Sequence, residues 1–143
     1  MSTSKLYVRG CISNGLGAVL LYLVATGLDM MFYVCLAVGI QLAVFLLHGL
    51  PQRSEKFYDL SGSITHFALV LSSLVSEQRV RSPRQILVAL MAVVWMTRLG
   101  TFLFARISRD GKDDRFEKLK PVWLSFLGAW TLQATWVTLV CLI

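Results

Sequence analysis

The chain has 143 residues, of which 56% are hydrophobic and only 15% are charged. Soluble domains carry about 25% charged residues, so this composition excludes an ordinary soluble domain and indicates a membrane protein. The length fits one all-α, polytopic unit over residues 1–143, and the net charge of +6 is typical of basic residues that flank membrane spans rather than of nucleic-acid binding.

Charged residues divide the chain into five apolar stretches, which predict about five transmembrane helices. They cover approximately residues 10–28, 31–50, 60–76, 84–106 and 121–143. Each stretch is close to the roughly 17–25 residues that a spanning helix needs. Prolines mark several limits: Pro51 closes the second span, Ser82 and Pro83 form a cap and first turn for the fourth, and Pro121 opens the fifth.

The basic residues predict an orientation. With five spans, the N-terminus, the 51–59 loop and the 107–120 loop share one side, which holds ten Lys and Arg residues against three on the other side. Basic residues favour the inner side of a membrane, so we expect the N-terminus to face cytosol, matrix or stroma. We expect the inner mitochondrial or thylakoid membrane rather than an endomembrane. The last span ends at Ile143 without a polar tail, as expected for a helix buried against a partner or for a chain that continues in a longer product.

Polar side chains at the start of the third span form the first candidate site. Asp59, Ser63 and His66 lie at positions i, i+4 and i+7 on one helix face, and Tyr58 precedes them. A carboxylate, a hydroxyl and an imidazole on one stripe could line a cavity that binds a ligand or relays protons. The alternative interpretation is structural: Asp59 neutralises the helix N-terminus, Ser63 allows close packing, and His66 bonds to a neighbouring helix.

The fourth span contains a single charge, Arg98, near its middle. A central arginine costs about 2.5–3.5 kcal/mol on insertion scales, so we expect Arg98 to face protein, a polar cavity or an anionic group rather than lipid. Arg106 follows eight residues later on roughly the same side of the helix, and the two guanidinium groups could hold a phosphate or pyrophosphate. Alternatively, Arg98 pairs with Asp59 or caps helix-end carbonyls, and Arg106 extends to the membrane surface.

The last span contains an amide, Gln133, close to the stripe formed by Trp123 and Trp130. We expect Gln133 to donate a hydrogen bond to another helix. The three cysteines are far apart and show no CxxC or Cys/His spacing, so no metal site is expected. No catalytic residue is predicted from the residues alone.

Three segments, taken in this order, resemble the steroid 5-alpha-reductase superfamily. They read KFYDLSGSITH (56–66), VVWMTRLGTFLFARISRDGKDDRFEKLK (93–120) and FLGAWTLQATWV (126–137). The resemblance covers roughly residues 55–137 and is closest to a branch of multi-span proteins of bacteria, plants and algae. It implies an all-helical membrane fold related to enzymes that transfer hydride from NADPH to a conjugated double bond of a sterol-like lipid. It also implies that Arg98 and Arg106 lie near the dinucleotide and Asp59 near the cavity.

The chain departs from the pattern of this superfamily in one respect. The resemblance implies further helices and a His-Pro-Asn-Tyr-Phe-Gly-Glu-like motif that contacts the cofactor, whereas this sequence has no His-Pro pair and only two histidines, His48 and His66. We therefore expect no cofactor in this chain.

The expected function is that of a non-catalytic accessory subunit of a larger membrane complex, such as a bioenergetic complex of mitochondria or chloroplasts. Its expected partners are other membrane subunits and lipids. The alternative is a fragment or half of an NADPH-dependent reductase of lipid double bonds. A third hypothesis is a lipid- or pigment-binding membrane module.

Overall fold

The computed structural model of the protein describes residues 3–76 and 82–141, and within these ranges the chain is helical without strands. The helices are α1 (Thr3–Gly27), α2 (Met31–Val44), α3 (Leu50–Gln52), α4 (Tyr58–Ser76), α5 (Pro83–Asp110), α6 (Asp114–Glu117) and α7 (Trp123–Val140). A π-helical turn at Phe45–Gly49 joins α2 to α3. The prediction of an all-α fold is thus confirmed.

Three helical stretches are long and apolar enough to cross a membrane, namely Thr3–Gly27, Met31–Gln52 and Pro83–Asp110. Their length and composition fit an integral membrane protein. Helices α4 and α7 have 19 and 18 residues and are not among these three stretches. The predicted count of about five spans is therefore not confirmed.

The five long helices alternate in direction along the bundle. Helices α1 and α7 run parallel, because the Ser125 hydroxyl near the start of α7 donates to the Leu6 carbonyl near the start of α1, at 2.7 Å. Helix α5 runs antiparallel to α4, because Arg106 near the end of α5 pairs with Asp59 in the first turn of α4, at 3.7 Å. The starts of α1, α4 and α7 therefore lie at the same end of the bundle.

We call this end the charged end. It comprises Glu55, Asp59, Arg106, Asp113, Arg115 and Lys120. The loop before α4 meets the loop after α5 there.

Helix α7 occupies the centre of the bundle. Phe126 and Trp130 form an aromatic cluster with Phe45 of the π-helical turn and Phe116 of α6. Further along, Ala134 packs into a second cluster with residues of α1 and α2. Helix α5 lies at the edge and packs mainly against α4.

Helices α1 and α7 approach each other closely through small residues. A Cβ atom added at Gly10 would lie 2.8 Å from backbone atoms of α7, so only glycine fits without displacement. Beside it, the Asn14 amide donates to the Leu124 carbonyl at 2.9 Å, and the Thr131 hydroxyl donates to the Asn14 side-chain oxygen at 2.6 Å. Small residues with interhelical hydrogen bonds are a common way for helices to associate in membranes.

Proline and capping residues account for several helix limits. Pro51 has no backbone N–H, and the helix before it widens into the π-helical turn, where the Leu50 N–H donates to the Phe45 carbonyl. The predicted cap before α5 is confirmed, since the Gln85 N–H donates to the Ser82 hydroxyl at 3.3 Å. Pro121, in contrast, lies in the turn before α7 rather than in its first turn.

Candidate functional site

Four charged side chains form a network of ion pairs at the charged end. Arg106 of α5 lies 3.7 Å from the Asp59 carboxylate and 3.4 Å from that of Asp113. Arg115 of α6 pairs with Asp113 at 2.5 Å and with Asp59 at 4.0 Å. Both carboxylates are mostly buried, and each contacts both arginines. The network thus ties the start of α4 to the end of α5 and to α6.

A second cluster at the same end centres on Glu55, which sequence analysis did not identify. One Glu55 oxygen accepts a hydrogen bond from the Asp113 N–H at 2.7 Å, and the other lies 2.6 Å from the Lys120 ammonium group. Lys120 also contacts Glu117 at 2.7 Å. Glu55 is buried despite its charge, and a buried carboxylate requires such partners. Its position in a loop of mixed polarity provided no signal of this burial.

The ion pairs and hydrogen bonds of the charged end shift the pKa values of Asp113 and Lys120. The hydrogen bond from Arg115 lowers the pKa of the Asp113 carboxyl below its ordinary value, against the opposing effect of burial. Burial alone would lower the pKa of the Lys120 ammonium group, but its hydrogen bonds to Glu117 and Glu55 outweigh burial and raise it. Both shifts favour the charged forms that make the contacts.

A buried polar seam connects α2, α4 and α7 below the charged end. We define it by Gln41, Ser61, Thr65, Tyr58 and Gln133. The Gln41 amide donates to the Thr65 hydroxyl at 2.8 Å and accepts from the Ser61 hydroxyl at 3.1 Å. The Gln133 amide donates to the Tyr58 carbonyl at 2.7 Å, and the Tyr58 hydroxyl donates to the Ala129 carbonyl at 3.1 Å. Ser61 and Thr65 are two hydroxyls one helical turn apart near the polar start of the third predicted span, and they supply the α4 side of this seam.

The predicted stripe on α4 faces α5 rather than an open cavity. The Ser63 hydroxyl donates to the Asp59 carbonyl of its own helix at 3.2 Å and lies against Gly100 of α5. His66 is buried with its ring edge toward Trp95, at a centroid distance of 6.3 Å. Its Nδ1 atom has no hydrogen-bond partner among the residues that the structure describes. The expected bond from His66 to a neighbouring helix is therefore not seen there.

Arg98 is exposed within the described chain, so the expectation that it faces protein, a polar cavity or an anionic group rather than lipid stays a prediction. Helix α5 turns Gly100 toward α4, and a residue two positions away lies roughly 200° around a helix axis. Arg98 therefore points outward, into a groove of about 580 Å³ that it lines with neighbouring residues of α5. It does not pair with Asp59, whose partners are Arg106 and Arg115.

Arg98 and Arg106, which the family resemblance implied to lie near a dinucleotide, are thus in different surroundings. Arg106 is bound to carboxylates at the charged end, and Arg98 lies along the outer groove. Within residues 3–76 and 82–141 the two side chains share no ion-pair partner.

A second groove, smaller and apolar, lies between the π-helical turn and α4. Its volume is about 260 Å³. It is lined by Val44, Leu47, His48, Phe57, Leu60, Ser61 and Ile64. The His48 Nδ1 atom is buried without a hydrogen-bond partner in the described part of the chain.

Most of the candidate residues are engaged in holding helices together. Among the described residues, no group of three or more His, Cys, Asp or Glu side chains could hold a metal ion. The carboxylates of the charged end are each bound by basic groups or backbone N–H groups. The arrangement is suited to fixing helix ends relative to one another.

Comparison with known proteins places the chain in a family. No curated protein and no solved structure shows a significant match to it. The sequence profile of a family described as "Protein of unknown function (DUF1295)" matches residues 44–143, from the end of α2 through α7. This match covers well over half of the 143 residues and includes the charged end and most of the polar seam. The chain therefore belongs to the DUF1295 family.

Proposed function

We propose that this chain is a non-catalytic accessory subunit of a larger membrane protein assembly. The observation that supports the proposal is the use of its polar side chains, which bind one another between helices. Asp59 is bound by Arg106 and Arg115, and Gln133 by the Tyr58 carbonyl. Side chains engaged in this way stabilise a helical scaffold, whereas a catalytic acid or base must be free to contact a substrate.

We further propose that the scaffold derives from a reductase-like membrane fold. The three segments that resemble the steroid 5-alpha-reductase superfamily lie inside the region matched by the family profile, residues 44–143. In this chain the same segments supply the charged end, the face of α5 and the centre of α7. These segments form bonds between helices, which supports the proposal that the helical body was retained as a scaffold.

We propose that all five long helices cross the membrane, with the charged end on the cytosol, matrix or stroma side. The alternating helix directions and the ten-to-three excess of Lys and Arg on the side that holds the N-terminus and the 51–59 and 107–120 loops support this arrangement. The test uses a chain whose native cysteines are replaced by serine and which carries one new cysteine at an exposed site: Lys56→Cys, Lys112→Cys or Asp29→Cys. An impermeant maleimide should label the first two from one face of sealed vesicles and the third from the other. Labelling of all three from one face would refute the five-span arrangement.

The competing function is reduction of a lipid double bond with NADPH, as part of a longer or divided enzyme. The chain is reconstituted in nanodiscs and incubated with NADPH and a conjugated steroid enone. We expect no NADPH-dependent formation of the saturated ketone, and no difference between the wild type and the Arg106→Gln variant. NADPH-dependent product that disappears in Arg106→Gln would establish the enzyme and overturn our proposal.

A lipid-binding role is a second candidate, and the groove between the π-helical turn and α4 favours it. Ile64 lines this groove and is 50% exposed, whereas Phe67 on the same helix lies outside it and is 47% exposed. A photoreactive amino acid at position 64 should cross-link a sterol probe in vesicles more efficiently than the same group at position 67. Equal cross-linking at the two positions would indicate ordinary contact with bulk lipid.

A further inference from the structure

The outer face of α5 is the most uncovered surface among the three apolar helices. Only 11% of its most apolar 18-residue window is buried inside the chain, against 28% for Thr3–Gly27 and 22% for Met31–Gln52. We define the outer face by Val94, Trp95, Arg98, Thr101 and Phe102. Its apolar members are well exposed, with Val94 at 67% and Phe102 at 64%.

This apolar face contains one full positive charge. Arg98 is exposed, and none of the ion pairs formed within residues 3–76 and 82–141 includes it. The nearby Thr101 hydroxyl donates to carbonyls of its own helix, at 2.7 and 3.0 Å, and offers Arg98 no compensation of charge. A guanidinium group in an apolar surround requires an anionic partner.

The depth of Arg98 distinguishes between two sources of negative charge. Arg98 precedes Arg106 by eight residues, or about 12 Å along the helix axis, and follows Arg84 by about 21 Å. Because Cα–Cβ bonds in a helix tilt toward its N-terminus, the Arg98 side chain leaves the backbone away from the charged end. Phosphate headgroups lie outside a hydrocarbon layer that is about 30 Å thick. A carboxylate carried by a protein at mid-depth fits this position better than a lipid headgroup.

A second copy of this chain does not supply that carboxylate. The five apolar stretches at 10–28, 31–50, 60–76, 84–106 and 121–143 contain no Asp or Glu. The acids that adjoin these stretches in sequence, Asp29, Asp59 and Glu77, lie at their ends rather than at mid-depth. Asp59 is moreover bound by arginines of its own chain. A partner of different sequence is needed.

We propose that the outer face of α5 is the docking surface for a membrane-spanning helix of a different protein, and that this helix carries an Asp or Glu that pairs with Arg98 at mid-depth. The inference rests on the proposed function, because it identifies the partner surface of the accessory subunit. Val94, Trp95 and Phe102 pack against the apolar part of the partner helix. Arg98 and the acidic residue determine its register and exclude uncharged helices, since an unpaired charge on either side would be left in the apolar layer.

The experiment compares affinity-tagged full-length variants in the native membrane after mild-detergent extraction. Arg98→Leu removes the proposed contact, and Arg109→Leu removes an exposed charge from the same helix at the membrane surface as a matched control. We expect the amount of partner that co-purifies with Arg98→Leu to be about tenfold lower, or lower still, than with the wild type, since one charge of a desolvated pair is lost. Arg109→Leu should retain the wild-type amount. Circular dichroism checks that both variants keep their helical content.

A second measurement identifies the partner in the wild-type background. A photoreactive amino acid at Val94 should cross-link to a peptide from a membrane span that contains Asp or Glu. Exchange of the charges, with Arg98→Glu and the partner acid changed to Arg, should restore co-purification. The proposal is overturned if Arg98→Leu retains the partner fully, or if position 94 cross-links only lipid or a span without an acid. In those cases a wild-type chain that still co-purifies with other subunits leaves the proposed function standing, whereas a wild-type chain that is extracted alone refutes both.

Discussion

Two carboxylates share the ammonium group of Lys120 but differ in burial. The Glu55 side chain is 4% exposed and also accepts the Asp113 N–H, whereas the Glu117 side chain is 46% exposed. We expect Glu55→Ala to lower the free energy of unfolding by about 2 kcal/mol, because it removes the buried partner of Lys120 and leaves the Asp113 N–H without its acceptor. Glu117→Ala should cause a much smaller change, since exposed ion pairs contribute little.

The measurement for this pair is unfolding in mixed micelles with increasing SDS, followed by tryptophan fluorescence. Both variants remove one carboxylate from Lys120, so they serve as controls for each other. Equal destabilisation by Glu55→Ala and Glu117→Ala would show that the buried cluster does not stabilise the charged end.

Asp113 makes the charged end sensitive to acid. Arg115 and Arg106 contact its carboxylate, and the pKa of this carboxyl is lower in the folded chain than in the unfolded one. The pairing therefore stabilises the fold at pH values above the unfolded pKa, and its contribution is lost as the pH falls through the folded pKa. We expect amide hydrogen exchange in residues 111–117, corrected for intrinsic rates, to accelerate at acidic pH.

The matched variant for this prediction is Asp113→Asn. It should show fast exchange across the whole pH range, with little further acceleration in acid. If Asp113→Asn retained the pH dependence of the wild type, another carboxyl would be responsible for it.

At the scale of elements, the parallel contact of α1 with α7 depends on close backbone approach. Gly10 faces the backbone of Leu124 and Ser125, whereas Gly15 on the same helix has no neighbour within 4 Å of an added Cβ atom. We expect Gly10→Ala to lower the free energy of unfolding by roughly 1–3 kcal/mol, because the helices must separate. Gly15→Ala should be neutral or stabilising by up to about 1 kcal/mol, since alanine restricts the unfolded chain.

Thermal unfolding in detergent, followed by circular dichroism, measures both glycine variants. Because the two substitutions add the same methyl group to α1, their difference reports only the contact with α7. A Gly15→Ala variant as unstable as Gly10→Ala would contradict the close packing described here.

Helix limits were more predictable than helix partners. The charges and prolines predicted the start of α5 at Ser82 and Pro83, because a cap is a local interaction between residues close in sequence. The contact of Asn14 with Leu124 joins residues 110 positions apart, and apolar periodicity carries no information on such pairs. The same limit applies to the bonds that join Gln41 to Ser61 and Thr65, which lie 20 and 24 positions away.

The surroundings of Arg98 also depended on tertiary structure. The free-energy cost of placing Arg98 in an apolar span could be estimated from sequence. The direction of its side chain could not, because it follows from the packing of Gly100, which α5 turns toward α4. The helix that should shield Arg98 is thus absent from the described fold of this chain.

At the scale of the whole molecule, the chain forms an all-helical membrane body with hydrogen bonds and ion pairs between its helices. Its outer face of α5 is uncovered and carries the charge of Arg98. Helix α7 is surrounded by α1, α2 and α4, whereas α5 contacts mainly α4. On α5, Arg98 is exposed within an apolar span and takes part in none of the ion pairs formed within residues 3–76 and 82–141. We therefore expect it to be found with other subunits in its membrane.

The most direct test is a native gel of gently solubilised membranes, with mass spectrometry of every band that contains this chain. We predict that the chain migrates in an assembly much larger than its own 16.0 kDa and together with at least one different membrane protein in constant ratio. Migration of the chain only as a free species, under conditions that keep other membrane complexes intact, would contradict the account.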